Sequence, residues 1–340
     1  MTGTPEIEAI FHIGMGKTGT SALQAALRDS GAELAADSAR YLGMWTEFLD
    51  PDFAGLEGFM RFARQTPARH AELAGRMAAI LQEAAARDGI GRVVLSNEAY
   101  LPLFRELQPF FAALSAQLRI SVIAYARPLG SWLPSACAQW GVLHKTNAGP
   151  VETLEQAGRR LVSQYARFPD WHALLGDRMT VRPYRTGTDI VEDFAALTGL
   201  TLKGSDQRRQ ARRPEAEQIL RAAFNNRVPG PCLPGLYEDM MAAPRTGSLP
   251  PSLSGKFRFL FDYPQLEKVR TGAAPLMRDI GSRFGIDLLD DPVPDPPELR
   301  PGALSDAVLG SLVDIVAAQS LRIRALEDRL AALEAPSPEP

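Results

Sequence analysis

The feature that most constrains this chain is a short apolar run that glycine breaks and a helix follows at once. Ala9-Ile10-Phe11-His12-Ile13 has the length and composition of a strand, and Gly14 ends it. From Thr20 to Arg28, Leu23 and Leu27 then fall at helical spacing. A strand that enters a helix through so short a loop belongs to a βαβ unit, and the strand that follows runs parallel to it. The pattern repeats. Arg92–Ser96, Ile120–Tyr125 and Met179–Tyr184 read as further strands. Ala71 to Ala86 reads as a long helix closing at Gly89, Leu103 to Leu118 as another, and Ile190 to Leu197 as a third. The expectation is an α/β fold with a central, mainly parallel sheet flanked by helices, whose ligands lie beyond the carboxyl ends of the strands.

Composition narrows the function classes. With 340 residues, 45% of them hydrophobic, the chain can bury a sizeable core as one large or two ordinary domains. A formal charge of -3 argues against a nucleic-acid binder working through a global positive field, so any polyanion site must be a local basic patch. Cys137 and Cys232 have neither metal-ligand nor redox spacing, which fits a reducing compartment. The first residues carry no basic, then apolar, leader, and no run of about 18 apolar residues follows anywhere. A cytoplasmic protein without a membrane span is expected.

The loop from His12 to Ser21 carries the chemistry. Its glycines let the backbone present several N–H groups toward one point, and the helix start adds partial positive charge. Lys17 adds a full charge, and Thr18, Thr20 and Ser21 add hydroxyls. A phosphate or phosphosulfate fits such a cradle. The nucleotide-triphosphatase pattern fails, because its opening glycine would have to stand at position 11, which is Phe11.

Lys17-Thr18-Gly19-Thr20-Ser21 after a strand resembles the 5′-phosphosulfate loop of the sulfotransferase family, and His12-Ile13-Gly14 resembles its bacterial, carbohydrate-sulfating branch. A second stretch strengthens the likeness. Arg127 ends the Ile120–Tyr125 strand region, and Ser135 lies eight residues later on the next helix. In the family this pair grips the 3′-phosphate of the donor, and a guanidinium suits paired hydrogen bonds to phosphate oxygens. The likeness covers roughly residues 9 to 200. It implies a P-loop-type three-layer fold, with 3′-phosphoadenosine 5′-phosphosulfate (PAPS) as donor, its bisphosphate (PAP) as product, and no metal required. The donor site would comprise Gly16, Lys17, Thr18, Gly19, Thr20, Ser21, Arg127 and Ser135. Many relatives also have a late basic segment on the 3′-phosphate. Arg208, Arg209, Arg212, Arg213 and Lys256 are candidates here, or simply solvated surface residues.

Sulfuryl transfer to a hydroxyl needs a base for the acceptor proton and positive charge on the departing phosphate. Lys17 suits the second task, and the resemblance implies that Ser135 restrains it until the acceptor arrives. Glu98, just after the Arg92–Ser96 strand, is the leading base, with His144 its rival; Glu98 could also cap a helix or pair with a cation. His12 reads as a packed core histidine. The acceptor would be a hydroxylated molecule, a glycan or glycoconjugate, and Trp132, Trp140 and Tyr100 are candidates for stacking on a sugar ring or for the core. Two other function classes stay open: a P-loop kinase or nucleotide hydrolase, and a non-catalytic nucleotide-binding assembly protein.

The domain reading is a sulfotransferase-like α/β domain over 7–290 (helical from 201 to 290), a proline-rich linker over 291–303, a helix over 304–334 and a disordered tail over 335–340. Within that helix Leu312, Val316, Gln319, Ile323, Leu326, Leu330 and Leu333 follow a four-three spacing with charged flanks. The stripe suits a coiled coil, giving a homodimer through residues 309–333, or packing on the chain's own domain.

Overall fold

A computed structural model describes residues 7–297, apart from 186, 205–214, 227 and 241–256, together with scattered positions between 302 and 330. The chain divides into two compact units that interleave in sequence. The first comprises Met1–Trp132, Val162–Ala211 and Arg270–Pro292; the second comprises Leu133–Leu161, Arg212–Val269 and Val293–Pro340.

The first unit is built on five strands, β1 (Glu8–His12), β2 (Ala39–Gly43), β3 (Arg92–Ser96), β4 (Arg119–Ala126) and β5 (Met179–Pro183), in the order β2-β3-β1-β4-β5. Every pairing is parallel. β1 is central, and its register sets His12 opposite Ser96 of β3 and Ile123 of β4. The carboxyl ends of these neighbouring strands therefore lie side by side, where ligands of open parallel sheets bind.

Alternation along β1 separates the two faces of the sheet. Ile10 joins Leu23 and Leu27 of α1 (Thr20–Asp29), Val94, Ile123 and Phe194 of α9 (Ile190–Thr198) in one buried cluster. Phe11 points the other way, edge-on to Tyr100 at 5.9 Å and to Phe111 of α5 (Phe104–Ser115) at 4.8 Å. Phe111 in turn meets Trp171 of α8 (Arg167–Leu175) at 4.8 Å. Helices thus cover both faces, as a parallel sheet requires.

β2 is the strand that periodicity overlooks. Ala39-Arg-Tyr-Leu-Gly43 lies at the sheet edge with only Ala39 buried, and Arg40 and Gly43 interrupt the apolar run that marks the other strands. The long helix α4 (Pro67–Asp88) starts four residues before the expected Ala71, because Thr66 caps it by accepting from the Arg69 N–H and Pro67 fits the first turn. Gly89 closes it in the left-handed conformation.

In the second unit, Val142, Ile219, Phe257, Phe261, Leu304 and Val308 share one buried cluster. Lys145 is 1% exposed, and its ammonium donates to the carbonyls of Gly149, Asn225 and Val228, which makes its burial tolerable. Arg208, Arg209, Arg212, Arg213 and Lys256 lie outside the described residues, as does the 335–340 tail. Among the described residues no helix is long and apolar enough to cross a membrane.

Candidate anion-binding site

The loop after β1 is held from outside. The parallel ladder with β4 continues past the strand, with Ile13 N–H donating to Ile123 O at 3.0 Å and Met15 N–H to Tyr125 O at 3.1 Å. Beyond that point three successive carbonyls find donors. Thr18 Oγ1 donates to Met15 O, Trp132 Nε1 donates to Gly16 O at 3.0 Å, and Arg127 Nη1 donates to Lys17 O at 3.1 Å. A trans peptide directs its N–H opposite to its carbonyl, so the Gly16, Lys17 and Thr18 amides are turned away from those donors. Gly19 then serves as N-cap of α1 with φ 81°, and no side chain caps the helix start. The first-turn amides are the orphan donors that an anion satisfies.

Two further observations point to a ligand. Lys17 is, with Ser38, one of two non-glycine residues at positive φ among the described residues, at 69°, a strained conformation of the kind that clusters at ligand clamps. Thr20 is 5% exposed, and its hydroxyl has no partner among the described residues.

The electrostatics call for a negative charge. Burial depresses the affinity of Lys17 for its proton, repulsion from Arg127 adds to this, and attraction to Glu98 opposes it. Arg127 is likewise depressed by burial, offset by Tyr184, Tyr165 and Asp291. Two half-buried cations within each other's field are stabilised by an anion that faces both.

Glu98 stands directly beside this loop. Asn97 shapes its turn: the Asn97 side chain accepts from Ala99 N–H at 2.9 Å and donates to Met44 O at 3.0 Å. Gly14 supplies the space. At φ 76°, a Cβ there would lie 2.6 Å from Glu98 Cβ and 2.8 Å from its Cα. Gln24 of α1 donates to Ser96 O at 3.0 Å and to Glu98 Oε2 at 3.3 Å. The carboxylate and the anion loop are therefore parts of one tied structure.

Arg127 is positioned by α6 (Leu129–Cys137) and the chain that crosses it. Its Nε donates to Ser131 Oγ at 3.2 Å, and Tyr165 donates its hydroxyl to Arg127 O. Leu129 N–H donates to Leu288 O at 2.9 Å, and Gly130 admits the passing backbone, since a Cβ would lie 2.2 Å from Asp291 O. The acidic stretch assigned to a linker from position 291 thus begins against the site, with Arg185 paired to Asp290.

The structure brings Gly16, Lys17, Thr18, Gly19, Thr20, Ser21, Glu98 and Arg127 together in the first unit. Ser135 lies half-buried on α6 and His144 follows a π-helical turn, both in the second unit. Trp132 and Tyr100 are fully buried, the former bracing the loop and the latter packed on Phe11 and Phe59, so neither offers a face to a sugar. Trp140 is half-buried in the second unit. His12 is a core residue: Nδ1 pairs with Ser96 Oγ at 2.8 Å, and burial lowers its pKa to about 3. Gln24, Tyr184 and Asp291 escape the sequence reading, and of Gly14 and Trp132 it missed the notch for Glu98 and the bond to Gly16 O. Gln24 left a trace, standing four residues after Thr20 on the same helix face.

No protein-family model matches the chain, and no curated protein matches it.

Proposed function

We propose that this chain is an enzyme that transfers a sulfuryl group from PAPS to a hydroxyl acceptor on a carbohydrate. One observation carries the reading: a half-buried lysine, a half-buried arginine and a carboxylate lie together at the carboxyl ends of the adjacent strands β1, β4 and β3. The fit to a doubly anionic donor rests on three features of the site. They are the outward-facing loop amides, the unpartnered Thr20 hydroxyl and the mutual repulsion of Lys17 and Arg127. The choice of a carbohydrate acceptor follows from the resemblance of His12-Ile13-Gly14 to the carbohydrate-sulfating branch.

The donor supplies an activated sulfuryl group. Gly16, Thr18, Thr20 and Ser21 would hold its 5′ end on the helix start, and Arg127, with Ser135 by resemblance, its 3′-phosphate. Lys17 neutralises charge that develops on the bridging oxygen. Glu98 takes the acceptor hydroxyl proton, and Gln24 orients that carboxylate by donating to Oε2. Positioning and fixed charge do most of the work in such loose, in-line transfers, by analogy with phosphoryl transfer.

Titration calorimetry with adenosine 3′,5′-bisphosphate, against ATP with magnesium, tests the reading. Bisphosphate binding without ATP-magnesium binding is expected. Tight ATP-magnesium binding with none for the bisphosphate would make the chain a P-loop kinase or hydrolase instead.

A further inference from the structure

The C-terminal helix begins in the core of the second unit, and several of its later described residues are exposed. Leu304 is 8% exposed and Val308 0%, both in the cluster with Ile219, Phe257 and Phe261, and Leu312 packs partly against it. Further along the same four-three stripe, Ile323 is 53% exposed, Leu326 54% and Leu330 56%. The described positions from 322 to 330 are helical throughout. The chain's own core therefore takes the first turns of this stripe and leaves Ile323, Leu326 and Leu330 exposed.

The charges beside the bare stripe specify what covers it. In heptad terms Val316, Ile323 and Leu330 occupy position a, and Leu312, Gln319, Leu326 and Leu333 occupy position d. Arg322 and Arg329 then stand at g, and Glu327 and Glu334 at e. In a parallel, in-register pair each g residue faces the e residue five positions later on the other helix. Arg322 meets Glu327 of a second copy and Arg329 meets Glu334, and symmetry makes each pairing twice. An antiparallel pair would instead set arginine against arginine and glutamate against glutamate. Arginines on one flank and glutamates on the other also leave the stripe too narrow for a lipid surface.

We propose that residues 316–333 form a parallel, in-register coiled coil with a second copy of this chain, with Gln319 as the polar position that sets the register. The proposal does not depend on the reaction catalysed. About three heptads are marginal alone, so the dimer dissociates on dilution.

Sedimentation equilibrium of the full-length protein across a concentration series tests it. The expected result is a concentration-dependent dimer. The double variant Arg322→Glu with Arg329→Glu should weaken it at least about ten-fold, and adding Glu327→Arg and Glu334→Arg should restore it. Leu330→Cys should form an interchain disulfide on mild oxidation, since position a faces itself only in a parallel register. Circular dichroism checks that each variant stays folded, and truncation after Ser320 should give a monomer that keeps Leu304 and Val308 in place. A wild-type monomer at every concentration overturns the proposal. So does a dimer insensitive to the charge reversals, or one that survives truncation.

Discussion

The loop after β1 and the C-terminal helix are both read from local pattern, yet the structure uses them in opposite ways. The loop is surrounded. Donors from Trp132 and Arg127, the Gln24 tie to Glu98 and the Gly14 notch leave its carbonyls satisfied and its amides and cations turned toward one place. The helix has its own core around Leu304 and Val308, and among its described later residues Ile323, Leu326 and Leu330 are exposed. A motif whose neighbours are all supplied by its own fold is a site for something small. A stripe whose described later residues stay exposed suits another chain, as proposed above.

If that contrast holds, variants at the two regions separate cleanly: loop variants change transfer and binding without changing the oligomer, and helix variants do the reverse. The largest effect is expected from Lys17→Ala, which should lower the transfer rate by about 10²–10³-fold while sedimentation stays unchanged. Concerted loss of activity and dimer would break the comparison. Glu98→Gln should reduce kcat about 10²-fold with the KM for donor little changed, and steady-state assays showing normal turnover would remove Glu98 from the base role.

Gly14→Ala should destabilise the fold by about 2–3 kcal/mol, read as a fall in Tm, because the new methyl meets Glu98 in a left-handed backbone. Unchanged stability would mean that loop and carboxylate are not tied.

A subtler effect follows from Lys17. Its proton is held less firmly than an ordinary lysine's in the free protein, and a bound anion would raise its affinity for that proton. Bisphosphate binding should therefore take up protons in alkaline buffers below the ordinary lysine pKa of about 10.4, and affinity should fall as pH rises through that window. Calorimetry in buffers of different ionisation enthalpy measures the uptake, and none would place Lys17 outside the anion site. The smallest change is Thr20→Val. It should leave Tm nearly unchanged, since the hydroxyl has no partner to lose, and weaken bisphosphate binding a few-fold.

Much of this was legible before any coordinates, and the boundary follows the range of the forces involved. The strand, glycine loop and helix from Ala9 to Arg28 are dictated by residues within a few positions of one another, as are the strands at Arg92, Ile120 and Met179. The same locality makes the heptad stripe visible, and it is why β2, with no continuous apolar run, is not.

What the sequence determined by itself is that a glycine-rich loop bearing Lys17 joins the first strand to a helix. Only the tertiary structure decided what surrounds it: the central place of β1 between β3 and β4, the Gln24 bonds across 72 and 74 residues, and the Trp132 bond across 116. Hydrogen bonds and close packing act between atoms a few ångströms apart, and sequence spacing carries no record of which distant residues will meet. The C-terminal helix obeys the same rule, since its stripe is local information and the turn at which its own core runs out is not.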